Sequence, residues 1–244
     1  MRVLAVGLIF AASVAVTAAA PQLFSAAAPT LVADLPASQI KGEPSQLAWS
    51  ADSATLCLQT LEGDHPKARY YVIRPGQPDV HGVDVPPDWA APYWTWKSSR
   101  MPPGHPELVI QVDTKNKGGQ IPTQDLKAKS DERMLDNAVA AQNTAEGSIV
   151  RTLTLKGEAI GQFVDQPLVP GITFGWSPEK LHALTYIKPN GRLALMNLDG
   201  GSQEIDGTNG ISLPAWSPDG ARIVYVQKQG RHHYAVMQIA VTHP

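Results

Sequence analysis

The sequence predicts an all-β protein built from repeated antiparallel sheets. One observation is the high number of turn-forming residues. The 244 residues include 20 glycines and 21 prolines, and this is typical of many short strands joined by tight turns. A second observation is a short Trp-Ser motif that recurs along the chain. A third is that runs rich in β-forming residues, ended by turn residues, follow the clear copies of this motif.

The Trp-Ser motif defines a repeating unit. The tryptophans at 49, 96, 176 and 216 are spaced by 47, 80 and 40 residues, so a unit of roughly 40–47 residues fits if the middle interval holds an insertion. The copy at Trp96 is the weakest. In the copy at Trp216, Ser-Pro-Asp-Gly predicts a turn in which proline presets φ and glycine supplies the positive φ. The residues to which we assign a repeated structural role are Trp49, Trp96, Trp176, Trp216, Asp219 and Gly220.

The unit that starts at Trp176 shows the internal plan. Strands are predicted over 183–188 and 192–198, joined by a hairpin turn at Pro-Asn-Gly 189–191, with a short fourth strand over 203–205. Four antiparallel strands in a unit of this length describe a blade of a β-propeller. We count about four blades, and a five-blade count stays open.

The middle interval predicts an insertion. Residues 107–113 and 147–157 fit the second and third strands of the blade that starts at Trp96, and the polar stretch 115–146 separates them. Within that stretch, residues 125–141 place a few apolar side chains among good helix formers. The sequence therefore predicts a short helical insertion at about 115–146, on the rim of the blade.

The two ends of the chain predict ring closure. Only three residues follow the strand predicted over 234–241, so the last unit has three strands where the others have four. Residues 29–34 form a strand-like segment before the first unit. If this segment pairs with the last blade, it closes the ring and removes an exposed edge.

The amino-terminal segment predicts export. The first charge after Arg2 is Asp34, and an apolar run over 3–16 is followed by small residues around Ala19, the pattern of a secretory signal peptide. The expected organisation is a signal peptide over 1–19, a segment with the closing strand over 20–43, and a propeller over 44–244. The expected location is periplasmic or secreted. The alternative is an uncleaved anchor, the one case in which we expect membrane contact.

Composition excludes several classes of function. The formal net charge is −2, which gives no bulk field for nucleic acid, so no nucleic-acid partner is expected. Cys57 is the single cysteine, which excludes an internal disulfide and a multi-cysteine metal site. No cofactor and no metal site are expected.

The sequence offers no catalytic constellation. It lacks a Gly-x-Ser-x-Gly motif, and Ser50, Ser177 and Ser217 recur in the repeat, as turn residues that bond local backbone would. His232 and His233 are adjacent, so in a strand they would point to opposite faces. The sequence therefore assigns no catalytic residue and predicts that the chain is not an enzyme.

One aromatic segment falls outside the repeat. Trp89 and Tyr93 have no equivalents in the other units, and Trp94 would share a face with Trp96 in a strand. Aromatic side chains on a proline-stiffened loop offer large contact area at low entropic cost. We therefore predict that Trp89, Tyr93 and Trp94 form a binding surface; the alternative is that they fill a gap left by the degenerate unit.

The segment 214–226 resembles the TolB-type, WD-like β-propeller repeat, and residues 172–179 repeat it with Glu in place of Asp. The resemblance is strong over 172–240, fair over 44–75 and weak over 80–165. It implies the fold more firmly than the role, because the namesake engages partners in the periplasm while other members are non-catalytic propellers of hydrolases. The expected function is an exported protein–protein interaction scaffold whose partner is a protein or another cell-envelope component. The alternative is a carbohydrate- or peptide-binding accessory module for a hydrolase.

Overall fold

The structure is a computed structural model that describes residues 24–63, 67–77, 79–97, 138–143, 148–153, 159–164, 166, 173–178, 183–197 and 202–242. These residues form strands almost throughout, with one short helix. The strands are β1 (Ser25–Ala26), β2 (Thr30–Leu35), β3 (Glu43–Trp49), β4 (Leu56–Glu62), β5 (Lys67–Ile73), β6 (Val80–Val83), β7 (Ala138–Asn143), β8 (Ser148–Leu153), β9 (Ala159–Val164), β10 (Phe174–Trp176), β11 (Ala183–Ile187), β12 (Leu193–Asn197), β13 (Ser202–Glu204), β14 (Ile211–Trp216), β15 (Arg222–Gly230) and β16 (His233–Thr242), and the helix is α1 (Ala90–Lys97). The prediction of an all-β chain is confirmed.

The strands pair as antiparallel meanders. Two four-stranded sheets run in the orders β3-β4-β5-β6 and β10-β11-β12-β13, and β7-β8-β9 form a three-stranded sheet. The last sheet runs β14-β15-β16 and continues into β2, while β1 pairs with the end of β16. Most neighbours in the sheets are therefore neighbours in the sequence, as short hairpin connections require.

Three of the sheets pack side by side through their first strands. Strand β14 contacts β3 on one side and β10 on the other. One apolar core lies between the β3–β6 sheet and the last sheet, and a second lies between the last sheet and the β10–β13 sheet. In these described sheets the arrangement is propeller-like, because sheets stack face to face with their first strands together.

The tryptophans that end β3 and β14 lie in these two cores. Trp49 and Trp216 are both buried. The indole Nε1 of Trp49 donates to the carbonyl oxygen of Ala215 at 3.2 Å, and the guanidinium of Arg222 lies 4.7 Å from the centre of its ring. Trp216 packs with Leu193 and other residues of the neighbouring sheet. Each tryptophan therefore spans two sheets. Trp176 ends β10.

The Ser-Pro-Asp-Gly turn after Trp216 is closed by side-chain hydrogen bonds. The hydroxyl of Ser217 accepts a bond from the backbone N–H of Arg222 at 2.9 Å and donates to Asp219 Oδ1 at 2.5 Å. Asp219 Oδ1 also accepts from the backbone N–H of Ala221 at 2.9 Å. Gly220 has a φ of +75°, the left-handed conformation that glycine adopts without strain.

The turn after Trp49 repeats this geometry without the glycine. Ser50 donates to Asp52 Oδ1 at 2.5 Å and accepts from the backbone N–H of Thr55 at 2.9 Å. Ser53 stands where the other turn has glycine, with a φ of +57°. Its hydroxyl accepts a bond from the backbone N–H of Asp219 at 3.1 Å, so the strained residue joins the two turns across the seam.

The predicted pairing of the amino-terminal segment with the last sheet is confirmed. Strand β2 pairs with β16 from Thr30 opposite Gln238 to Leu35 opposite Tyr234. Leu35 of β2 is fully buried and Leu31 is 59% exposed, because the pairing shifts register between Ala33, which lies opposite Val236, and Leu31, which lies opposite Met237. The last sheet thus receives its fourth strand from the opposite end of the chain.

A group of polar contacts joins the β15–β16 hairpin to strands β2 and β3. His233 Nε2 lies 2.7 Å from Asp34 Oδ1 on β2, and His232 Nδ1 lies 3.0 Å from Glu43 Oε1 on β3. The hydroxyl of Tyr234 donates to the other oxygen of Glu43. These bonds connect the β15–β16 hairpin to both β2 and β3.

The hydrogen bonds of Glu43 predict that the free energy of unfolding decreases slightly in acid. The Tyr234 hydrogen bond, with help from His232, lowers the pKa of Glu43, so its stabilising contribution is present above the unfolded pKa of about 4.3 and is lost as the pH falls through the lower folded pKa. Glu43→Gln should therefore lower the free energy of unfolding at pH 7 and converge with the wild type below pH 3. Urea titrations at both pH values test this. The control, Asp206→Asn, should change neither, because Asp206 is fully exposed.

Two expectations from the sequence are wrong in the described residues. Ala138–Asn143, the end of the predicted helical insertion, is strand β7 and pairs in register with Ser148–Leu153. Pairing with a neighbouring strand outweighs the helical preference of its alanines. The rest of the predicted insertion, residues 115–137 and 144–146, and the strand predicted over 107–113 lie outside the described residues.

The second correction concerns Trp96, which lies in helix α1 and not in the first strand of a blade. The two-residue spacing of Trp94 and Trp96 predicted a strand, but the surrounding residues place their apolar side chains at helical spacing instead.

Residues 1–19, the predicted signal peptide, also lie outside the described residues. In the part that the structure describes, no helix is long and apolar enough to cross a membrane.

Candidate functional site

Helix α1 and the turn before it carry the aromatic residues predicted to bind. It follows Pro86 and Pro87, and its first backbone bond runs from the N–H of Ala90 to the carbonyl of Pro87 at 2.9 Å. Pro92 is the third residue of the helix, and a proline in the first turn removes no intrahelical bond. The helix therefore begins where the prolines permit it and continues through Tyr93 and Trp94 to Lys97.

One face of α1 is buried against the sheets. Ala90, Tyr93 and Lys97 are buried, while Ala91 and Thr95 are exposed. Spacings of three and four residues place the buried side chains on one stripe. The helix packs on β3 and joins the core between the first and last sheets.

Tyr93 ties the helix to the end of β14. Its hydroxyl donates to the carbonyl oxygen of Trp216 at 2.5 Å, in a buried environment, and burial raises its pKa well above the ordinary value. Helix α1 therefore lies at the carboxyl-terminal ends of both β3 and β14. Tyr93 itself presents little surface to a ligand.

Trp94 and Trp89 are partly accessible. The ring of Trp94 stacks on Tyr70 of β5, with centroids 6.3 Å apart and planes inclined by 24°. Trp89 also packs against the core and is half-buried. The indole Nε1 of Trp94 is buried and has no hydrogen-bond partner among the described residues. Of the three predicted binding residues, Tyr93 and Trp94 lie on α1 and Trp89 lies in the turn directly before it; Tyr93 is buried and the two tryptophans are partly accessible.

Lys97 is a feature that sequence reasoning missed. Its side chain is 1% exposed, and its Nζ finds no hydrogen-bond partner among the described residues. Burial lowers its pKa to about 7, because removal from water penalises the charged ammonium. The signal in the sequence was its spacing, since Lys97 lies four residues after Tyr93 and seven after Ala90.

The buried amine predicts a rise of stability with pH. Between its folded pKa of about 7 and an unfolded value of about 10.4, the unfolded chain binds more protons, so the free energy of unfolding should rise by about 2 kcal/mol from pH 7 to pH 9. Lys97→Met should remove this rise and stabilise the protein at pH 7. Urea titrations at the two pH values measure both effects. Lys67→Met, at an exposed position, is the control, and an identical rise in wild type and Lys97→Met would contradict the assignment.

The serines of the repeat and the adjacent His232 and His233 are engaged in structural bonds. The hydroxyl of Ser177 accepts the backbone N–H of Ala183 at 2.9 Å, as those of Ser50 and Ser217 do in their turns. Burial raises the pKa of the Cys57 thiol to about 12, so it is not a ready nucleophile. Among the described residues, no three His, Cys, Asp or Glu side chains are grouped to hold a metal ion.

Comparison with known proteins gives no family assignment. No family model matches the chain, and no curated protein matches it. Solved structures match at low similarity. TolB from Acinetobacter baumannii is 10% identical, with 83% of this chain and 44% of that chain covered and a TM-score of 0.31. A luciferin-regenerating enzyme is 9% identical, with 87% and 95% covered and a TM-score of 0.33. A gluconolactonase from Xanthomonas campestris is 9% identical, with 82% and 57% covered and a TM-score of 0.29.

Proposed function

We propose that this chain is an exported β-propeller of four blades, closed by β2, that serves as a protein–protein interaction scaffold in the cell envelope. The observation that carries the proposal is the side-by-side packing of β10, β14 and β3, combined with the insertion of β2 into the last sheet. Continuation of this packing through the β7–β9 sheet would complete a ring. A closed ring holds the loops at its faces at fixed separations, as a binding platform requires.

Helix α1 is the surface that we assign to the partner. It is anchored by Tyr93 and by its buried stripe, so its outer residues stand on a rigid support. Trp89 and Trp94 lie at its margins, and aromatic side chains contribute strongly at protein interfaces. The proposal assigns no catalytic step to the chain; turnover in a screen of glycans and esters would contradict this.

Co-purification from an envelope extract tests the scaffold. The mature, tagged chain should retain a defined envelope component in stoichiometric amount, and Trp89→Ala should reduce its recovery at least fivefold. Arg231→Glu, a change at an exposed residue of the β15–β16 turn, at the end of the last sheet opposite Trp216, is the matched control and should retain it fully. Recovery of nothing above the level of the tag alone would overturn the proposal.

Mass measurement of the exported protein tests whether a signal peptide is removed. We expect a chain that begins after Ala19, since the small residues there suit signal cleavage. Retention of Arg2 in the mature protein would contradict cleavage and would favour an anchored form.

A carbohydrate-binding accessory module is the second candidate, and the partial exposure of Trp89 and Trp94 favours it. Retention of the chain on polysaccharide resins, lost in Trp89→Ala and kept in Arg231→Glu, would support this role. Passage through every resin without delay would exclude it in favour of the scaffold.

A further inference from the structure

A polar groove of about 230 Å³ lies at the outer edge of the first sheet. Residues 67–71 of β5 form one wall, and residues 82–84 at the end of β6 form the other. The groove is smaller than the roughly 300–1,000 Å³ of pockets that enclose a small molecule. Its size suits a short linear segment better than an enclosed ligand.

The groove exists because β6 is shorter than β5. Strand β6 pairs with Tyr70–Ile73 and stops at Val83, whereas β5 begins at Lys67. Beyond Val83 the chain bends and enters Pro86 and Pro87, which have no N–H to continue a ladder. Among the described residues, Lys67, Ala68 and Arg69 therefore have a strand partner on the β4 side alone.

The open edge presents backbone hydrogen-bonding groups. Successive residues of an antiparallel strand direct their N–H and C=O to opposite edges, so at least one of the three residues directs both groups into the groove. Gly82, which pairs with Tyr71, leaves space beside them. A Cβ at Gly82 would meet no atom within 4 Å except Cε1 of Tyr71 at 3.9 Å.

The face of β5 that carries Lys67 and Arg69 favours an acidic side chain beside it. Lys67 and Arg69 are two residues apart in β5, so their side chains share a face. The Nε of Arg69 donates a hydrogen bond of 2.7 Å to Oε2 of Glu62, the last residue of the neighbouring strand β4. A strand added at the open edge would place alternate side chains beside the two cations, and cross-strand pairs of opposite charge are stabilising. Asp84 also lines the groove and would repel further acidic side chains, so we expect the acidic residues of the occupant only beside Lys67 and Arg69.

We propose that the edge of β5 at Lys67–Arg69 binds an extended acidic segment of a partner protein, which adds a short strand in line with β6. Strand addition of this kind draws its affinity from main-chain bonds and its specificity from alternate side chains. The inference deepens the scaffold proposal and rests on it, since it places a partner segment on the first blade.

A capped hexapeptide that alternates glutamate and valine is the probe. Titrated into the mature, isotope-labelled chain, it should bind saturably and shift the amide resonances of residues 67–71 and 82–84. Lys67→Glu should weaken binding at least fivefold, and Arg74→Glu should not. The same peptide with alternate backbone amides N-methylated, which cannot pair with the strand, should bind at least tenfold more weakly.

Three outcomes would overturn the inference. They are the absence of saturable binding, equal binding of the N-methylated peptide, and equal binding by Lys67→Glu. In each case the two cations would serve to protect an exposed edge from aggregation. Co-purification with Lys67→Glu separates the two proposals: an envelope partner retained equally by wild type and variant supports the scaffold and contradicts the groove.

Discussion

Deletion of residues 29–36 should destabilise the whole domain and promote its association. The deletion removes β2, the edge partner of β16, and with it the buried side chains of Val32 and Leu35. Each contributes about 1.5–3 kcal/mol by burial, and the ladder bonds of β2 are lost as well. The bared edge of the ten-residue strand β16 would then be free to pair with other chains.

Point variants separate loss of packing from loss of the segment. Leu35→Ala should cost about 2–5 kcal/mol, as truncation of a buried leucine does. Leu31→Ala, at an exposed position of the same strand, should cost less than about 1 kcal/mol. Chemical denaturation gives both values, and sedimentation gives the association state of the deletion variant. An unchanged melting temperature and a monomeric deletion variant would show that β2 is only a linker.

Trp216→Ala should lower the free energy of unfolding by about 3–5 kcal/mol, the range for large aromatic truncations in cores. Trp216 is fully buried and packs in the core between the last sheet and the β10–β13 sheet. Its loss opens a cavity at the seam and loosens the strand end whose carbonyl oxygen accepts the Tyr93 hydroxyl. We therefore expect the melting temperature to fall and α1 to become more mobile.

Two further variants control for this effect. Trp216→Phe keeps most of the buried ring and should cost clearly less than the alanine variant. Trp89→Ala should cost no more than about 1 kcal/mol, because Trp89 is only half-buried. If Trp89→Ala destabilised the protein as much as Trp216→Ala, the aromatic segment would be core and the main candidate for partner binding would be lost.

Local signals predicted much of the fold. The turn at Pro-Asn-Gly 189–191 forms between β11 and β12, with Gly191 at a φ of +79°, because few residues other than glycine tolerate that conformation. Strands β11, β12, β13 and β16 lie close to their predicted positions. The spare edge of the last unit also predicted the pairing of β2, since an unpaired strand is costly.

Other features were beyond local signals. The aromatic pair at 94 and 96 matched a strand period, yet the burial of Ala90, Tyr93 and Lys97 on the neighbouring sheets selects a helix. Ala138–Asn143 has the composition of a helix, and pairing with β8 makes it a strand. In both cases long-range packing outweighs intrinsic propensities of a few tenths of a kcal/mol per residue.

The sequence by itself determined the repeated turns, the strands that follow them, and the sheet that takes a strand from the other end of the chain. These depend on residues within a few positions of one another, or on an edge that must be covered. The tertiary structure alone decided that α1 covers the ends of β3 and β14, that Lys97 is buried, and that β6 stops short to leave a groove on β5. Those features arise where distant segments meet, because burial and strand pairing there depend on which surfaces the rest of the chain brings into contact.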